Sequence, residues 1–375
     1  MQKLEIVSRS DKASWYRLTG DYQGKTQRWI ASTPQTVEIC NDPSLCGVTY
    51  TERMREGMSA LLETAPFRPF LEGVAPSRLC IMNFLRGGLN FDLRGALYRS
   101  LGSNYHATCF MSSQRKRQEG RWTVKEDMYR KMDIPNGAIL LVGDVVATGV
   151  TVANGFDVIE EYLKERGTQL SGLVFFTIGC HKMEKLLEDI HHRFSALFPG
   201  YKETHAVYLE GKFRLVDSST NLRLSIQGTD LIRRDSVLSP EFERSQYDAL
   251  HNPIERCTIY DAGSRAFDVV EYLGDVIQFW EQVRTLARRA HTLREILTER
   301  WPAADYADAE LFQAAKQAQW PGLPEAFLDD LWARHKARWT DEFQTHVRTR
   351  EALEDLCNER LGILRSVLAD AEGSS

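Results

Sequence analysis

The chain has 375 residues, too many for one small core and enough for two domains, and its 43% hydrophobic and 26% charged residues describe an ordinary soluble globular protein. A formal net charge of -5 excludes a surface that is basic overall, so nucleic acid is not an expected partner, although a local basic site stays open. No apolar run approaches the roughly 18–20 residues of a membrane helix, and the opening MQKLEIVSRSDK lacks the apolar stretch of a secretory signal; a cytoplasmic protein without a membrane partner is expected.

Residues 1–65 form an N-terminal mixed segment, with strand-like runs at 4–7 and 29–32 and a helical patch near 52–62. The pattern then changes, and residues 66–264 read as one domain. The apolar run 79–85 stops at Arg86-Gly87-Gly88, which predicts a buried strand ending in a tight turn. Residues 91–101 follow as a helix with Leu93, Ala96, Leu97 and Leu101 on one side, and 107–111 as the next strand. The polar stretch 112–131, with Gln114-Arg115-Lys116-Arg117 and Gly120, reads as a long mobile loop. Residues 138–142 are a second buried strand, ended by Gly143-Asp144. Helical periodicity resumes at Val152, Phe156, Ile159 and Leu163 and closes at Gly167. A strand at 172–178 and an amphipathic helix at 183–197 complete the alternation. That alternation predicts an α/β fold, a mostly parallel sheet flanked by helices.

Cys180-His181 after the strand at 172–178 is either a buried cysteine beside an ordinary histidine or a metal or thiol site. Seven cysteines without a CxxC pair favour reduced thiols over a disulfide frame or zinc site. Residues 265–375 are rich in Leu, Ala, Glu and Arg with Trp and Phe at helical intervals, and predict an all-helical C-terminal domain. Its breaks fall at Trp301-Pro302 and Trp320-Pro321-Gly322, and its end, 370–375, is a frayed tail.

The most informative segment is Ile139-Leu140-Leu141-Val142-Gly143-Asp144-Val145-Val146-Ala147-Thr148-Gly149-Val150-Thr151. A buried strand, an acid, a short loop with glycine and threonines, and then a helix can aim backbone N–H groups and hydroxyls at a phosphate. The helix start adds its partial positive charge. Asp144 at the strand's end is suited to accept hydrogen bonds from sugar hydroxyls, at the edge where open α/β sheets bind ligands. A Rossmann-type turn would want a GxG right after the strand, which neither Gly143 nor Gly149 supplies.

This segment resembles the signature of type I phosphoribosyltransferases, and its Ala147-Thr148-Gly149 form is similar to that of adenine phosphoribosyltransferases. Upstream, Phe84-Leu85-Arg86-Gly87-Gly88-Leu89-Asn90-Phe91 is similar to the family's pyrophosphate loop, and 112–131 lies where the family keeps its flexible loop. The resemblance covers roughly residues 76–180 and implies a type I phosphoribosyltransferase-like sheet. By matching position, Asp144 would hold the ribose hydroxyls and take part in holding Mg2+. Val145, Ala147, Thr148, Gly149, Val150 and Thr151 would cradle the 5-phosphate, and Gly87 and Gly88 would admit the diphosphate. Arg86 is then either a plain surface arginine or the diphosphate's flank, and Arg115 and Lys116 either a solvated stretch or phosphate contacts on loop closure.

Two departures stand out. Gly143 occupies the place where the family has the first of two adjacent acids, and Ala147 removes a carboxylate that some purine enzymes use at the base. The resemblance implies a Mg2+-dependent transferase joining ribose 5-phosphate from phosphoribosyl pyrophosphate to a nitrogenous base. The alternative is a regulatory or interaction protein that binds phosphoribosyl pyrophosphate or a nucleotide without turnover. In either case the helical C-terminal domain is a candidate for self-association or for a protein partner.

Overall fold

The computed structural model describes residues 2–20, 22–118, 121–225, 229–256, 263–301, 306 and 308–373, and for 113–118 and 121–128 the backbone alone. Strands β1 (Lys3–Arg9), β2 (Ser14–Thr19) and β3 (Gln27–Ser32) lead into helices α1 (Pro34–Asn41), α2 (Gly47–Thr64) and α3 (Arg68–Glu72). Strand β4 (Leu79–Phe84) is followed by a 3-10 turn (Gly87–Phe91), helix α4 (Leu93–Leu101) and strands β5 (Ala107–Gln118), β6 (Arg121–Lys131) and β7 (Ala138–Val146). Next come α5 (Val150–Arg166), β8 (Leu170–Cys180), α6 (His181–Leu197), β9 (Glu203–Leu215), β10 (Leu231–Leu238) and α7 (Pro240–Ser245). The remainder is helical: α8 (Ser264–Phe267), α9 (Val269–Arg288), α10 (Leu293–Arg300), α11 (Ala309–Gln319), α12 (Glu325–Ala337), α13 (Asp341–Val347) and α14 (Arg350–Ala371).

Among the described residues the strands form one 10-stranded sheet in the order β1-β2-β3-β9-β8-β7-β4-β5-β6, with β10 on β9. Every pairing from β3 across to β5 is parallel, and the outer strands β1, β2, β6 and β10 join antiparallel. Strands β7 and β8 are covered on both faces, which is why they read as continuous apolar runs. Leu140, Val142, Phe175 and Ala206 face one layer, with Phe156 and Ile159 of α5 and Leu187 and Ile190 of α6. Ile139, Leu141, Phe176 and Val207 face the other, with Met54 and Leu61 of α2 and Ala96 and Leu97 of α4. The α/β class, the sheet flanked by helices and the helical C-terminal region agree with the expectation.

The helical region divides by what it packs on. Phe312 and Trp320, with Leu328 and Leu331 of α12, belong to the same apolar cluster as Leu4, Tyr16 and Leu18 of the sheet. Helices α9, α10 and α14 enclose a separate cluster around Trp280, Leu353 and Leu361. Among the described residues no helix is long and apolar enough to cross a membrane.

Two expectations change. The stretch 112–131 is not a loop: β5 and β6 pair in register from Phe110↔Lys131 out to Gln118↔Arg121, with shifts beside Ser113 and Arg115. Its polar composition is that of strands at the open edge of a sheet, where charge discourages pairing with another chain. The strand-like runs before residue 65 belong to the main sheet, because β3 pairs with β9 from Gln27↔His205 to Ala31↔Leu209.

Candidate active site

Because β4, β7 and β8 are parallel, their carboxyl ends lie on one edge, the edge where such sheets hold ligands. Met82 pairs with Val142, so the turn after β4 and the end of β7 emerge side by side. Leu85 N donates to Met111 O at 2.7 Å, and the Leu85–Arg86 peptide is cis. A β-carbon on Gly88 would stand 3.2 Å from both Asn83 Cα and Gly143 O, so the turn is seated directly against β7 and has little room for a side chain. A β-carbon on Gly143 would fall 2.4 Å from Phe91 Cγ. The volume that an acid at 143 would need is taken by the Phe91 ring.

Asp144 is 9% exposed, and its Oδ1 accepts the N–H of Val145 at 2.8 Å. Two residues along β7, the loop opens. Ala147, Thr148, Gly149, Val150 and Thr151 are all half-buried, neither sealed in the core nor fully in solvent. Val145 and Ala147 lean on the apolar layer under α2 and α4, and leave backbone rather than side chain to the loop. The Ala147 carbonyl is already committed: Cys180 Sγ donates to it at 3.3 Å. Burial pushes the Cys180 thiol up, away from thiolate chemistry, so this cysteine braces the loop.

Gly149 is the N-cap of α5 at φ +77°, a conformation that suits glycine. No side chain caps α5 and its first turn carries no acid, which leaves the helix start open to an anion. The hydroxyls of Thr148 and Thr151 flank it in sequence. Helix α5 also packs against β4, β5 and β6.

Arg86 is exposed, and its Nη2 lies 2.5 Å from Oδ2 of Asp268, the N-cap residue of α9. The side chains of Arg115 and Lys116 lie outside the described residues. The structure therefore brings together Arg86, Gly87, Gly88, Asp144 and the 147–151 loop. Sequence reasoning missed the packing of Phe91 on position 143, and Cys180 and Asp268 as neighbours of this site. Gly143 was the one sign of the first, a glycine where a strand continues; nothing local marks Asp268, which arrives from far along the chain.

Neither a family model nor a curated protein matches the sequence. Solved structures are similar to parts of it. The AQ2163 protein from Aquifex aeolicus is 15% identical over 48% of this chain and 84% of its own, with a TM-score of 0.33. The purine phosphoribosyltransferase from Pyrococcus horikoshii is 13% identical over 42% and 81%, with a TM-score of 0.22. The hypoxanthine phosphoribosyltransferase from Trypanosoma cruzi is 15% identical over 53% and 86%, with a TM-score of 0.25.

Proposed function

We propose that the chain binds phosphoribosyl pyrophosphate at the ends of β4 and β7 and transfers its ribose 5-phosphate to a nitrogenous base, releasing pyrophosphate. The observation that carries this reading is the seating of Gly88 on Gly143, which sets a glycine turn beside Asp144 and the open start of α5. A sugar bearing phosphate at one end and diphosphate at the other has its two anionic ends matched by those two loops.

In this reading the amides at the start of α5, with Thr148 and Thr151, hold the 5-phosphate, and binding energy far from the reacting bond positions the sugar. The Asp144 carboxylate accepts from the ribose hydroxyls and stabilises positive charge as the C1–O bond to diphosphate lengthens. The base nitrogen then forms the new bond to C1 with its electron pair, and the diphosphate leaves with the electrons of the broken bond. One carboxylate beside a phosphate-binding turn suits Mg2+, which takes one or two carboxylates and completes its shell with substrate oxygens and water; Asp144 would hold it, and it would neutralise the leaving diphosphate. Arg86 and the hairpin β5–β6 flank the diphosphate side.

The Gly143–Phe91 contact favours a second reading, in which a single acid grips the ribose well enough for binding but not for turnover. Pyrophosphate release from phosphoribosyl pyrophosphate with a panel of bases, alongside equilibrium binding, separates the two. The transferase reading expects release with at least one base, abolished by Asp144→Ala. That variant should also bind about ten- to a hundredfold more weakly, the value of hydrogen bonds to a charged group. Binding without release for every base supports the regulator. Unchanged affinity in Asp144→Ala removes both.

A further inference from the structure

Asp268 stands at the N-cap of α9, a helix of 20 residues, yet its side chain makes no capping hydrogen bond. Aspartate is among the best N-cap residues because its carboxylate accepts from the free amides of the first turn. Here the carboxylate turns away from its own helix and meets the Arg86 guanidinium at 2.5 Å. Its position is fixed by the segment before it. The buried Arg265 of α8 donates to the carbonyls of Leu45 at 2.8 Å, Ile39 at 3.1 Å and Asp42 at 2.6 Å. The Asp268 N–H donates to Ser264 O at 2.9 Å. The helical region thus presents an anion to the turn at the end of β4 from a frame anchored on α1 and the loop that follows it.

We infer that Asp268 is an autoinhibitory latch on the diphosphate side of the site, an anion built into the chain that competes with a bound diphosphate for Arg86. The inference rests on the reading of the Arg86-Gly87-Gly88 turn as a diphosphate site. The Asp268 carboxylate occupies Arg86 Nη2 and repels a diphosphate brought to the same guanidinium, so the two anions compete for Arg86 and binding is tighter when the pair opens. The pair can open: its side chains are 46% and 39% exposed, where an ion pair is weak. The released carboxylate can then fall back on the first-turn amides of α9, and that regained cap offsets part of the cost. Arg86 is consequently poised between two anions, and the placement of α8 and α9 sets which one it holds.

The test is calorimetric titration of the full chain with inorganic pyrophosphate in the presence of Mg2+, for the wild type, Asp268→Asn, Asp268→Ser, Arg86→Gln and the double variant Arg86→Gln/Asp268→Asn. Serine keeps an N-cap for α9 but cannot pair with Arg86, which guards against loss of the helix start. Both single Asp268 variants should bind pyrophosphate about two- to fivefold more tightly, the scale of an exposed ion pair. Arg86→Gln should bind more weakly, and adding Asp268→Asn to it should bring no gain. Equal or weaker binding by both Asp268 variants overturns the latch while leaving the site intact. Absence of pyrophosphate binding in the wild type and every variant overturns the site itself, and the latch with it.

Discussion

A β-carbon on Gly143 would lie 2.4 Å from Phe91 Cγ and 2.6 Å from Phe91 Cβ, well inside any carbon–carbon contact. Both residues are buried, so neither can yield into solvent. The glycine and the ring form one packing unit, and the site's single acid follows from it: Asp144 points to the loop because position 143 faces Phe91. Restoring a second acid by Gly143→Asp therefore cannot be neutral. Overpacking costs about 1–3 kcal/mol, to which a buried carboxylate adds its own desolvation. Phe91→Ala alone leaves a cavity and costs about 3–5 kcal/mol. Because the two changes act on the same volume, the double variant should be more stable than the sum of the single losses by at least about 1 kcal/mol. Urea unfolding midpoints of the four proteins measure this directly. Simple additivity would mean that Phe91 is not what keeps residue 143 a glycine.

At the scale of elements, α5 matters most, since its start carries the proposed phosphate contacts while its length rests on the sheet. Gly155 makes that approach possible: a β-carbon there would come within 2.2 Å of Phe84 Cε1 on β4. Two effects oppose each other in Gly155→Ala. Helix propensity improves by about 1 kcal/mol, and overpacking against Phe84 costs about 1–3 kcal/mol. The collision should win, lowering the melting temperature and, by pushing the helix off β4, weakening ligand binding at its start. Adding Phe84→Leu should recover part of both, and a stabilised Gly155→Ala protein would show that α5 has room to spare. The core elements β4, β7, β8 and α5 were legible in the sequence because burial on both faces, or on one helical stripe, leaves an apolar run or a 3.6-residue period. The hairpin β5–β6 was not legible. Its strands pair with each other at the open edge of the sheet, where polar and charged residues are favoured, so their sequence carries the composition of a loop.

The whole molecule is tied together by contacts that no local pattern announces, and Glu210 is the clearest of them. It sits in β9, fully buried at φ +63°. It accepts from Ser32 Oγ at 2.8 Å and the Thr33 N–H at 3.3 Å, is joined by Thr36 Oγ1, and accepts from Ser239 Oγ at 2.9 Å. One side chain thus knots the end of β3, the start of α1 and the start of α7, segments separated by as many as 178 positions from it. In the sequence it is only a glutamate among apolar residues, since register between distant parallel strands leaves no mark on either strand alone. Burial pushes its carboxyl from the ordinary 4.5 up to about 8, against the opposing pull of the hydroxyls. The sign of the resulting pH dependence follows. Below about pH 4.5 the group is protonated whether or not the chain is folded, and its stabilising contribution is complete. As pH rises the unfolded chain releases the proton while the folded chain keeps it, so stability falls through the window up to about 8, by at most roughly 1.4 kcal/mol per pH unit. Glu255, raised to about 7 by burial against the pull of Arg360, acts in the same direction, so the slope of the wild type alone would not identify Glu210. Glu210→Gln does, because the amide resembles the protonated acid in shape and cannot ionise. The wild type should lose stability relative to this variant steadily between pH 5 and 8 in thermal melts, with Glu255 common to both. A difference that stays flat across that range would mean that Glu210 is already ionised within the fold, with its hydroxyl donors holding the charge.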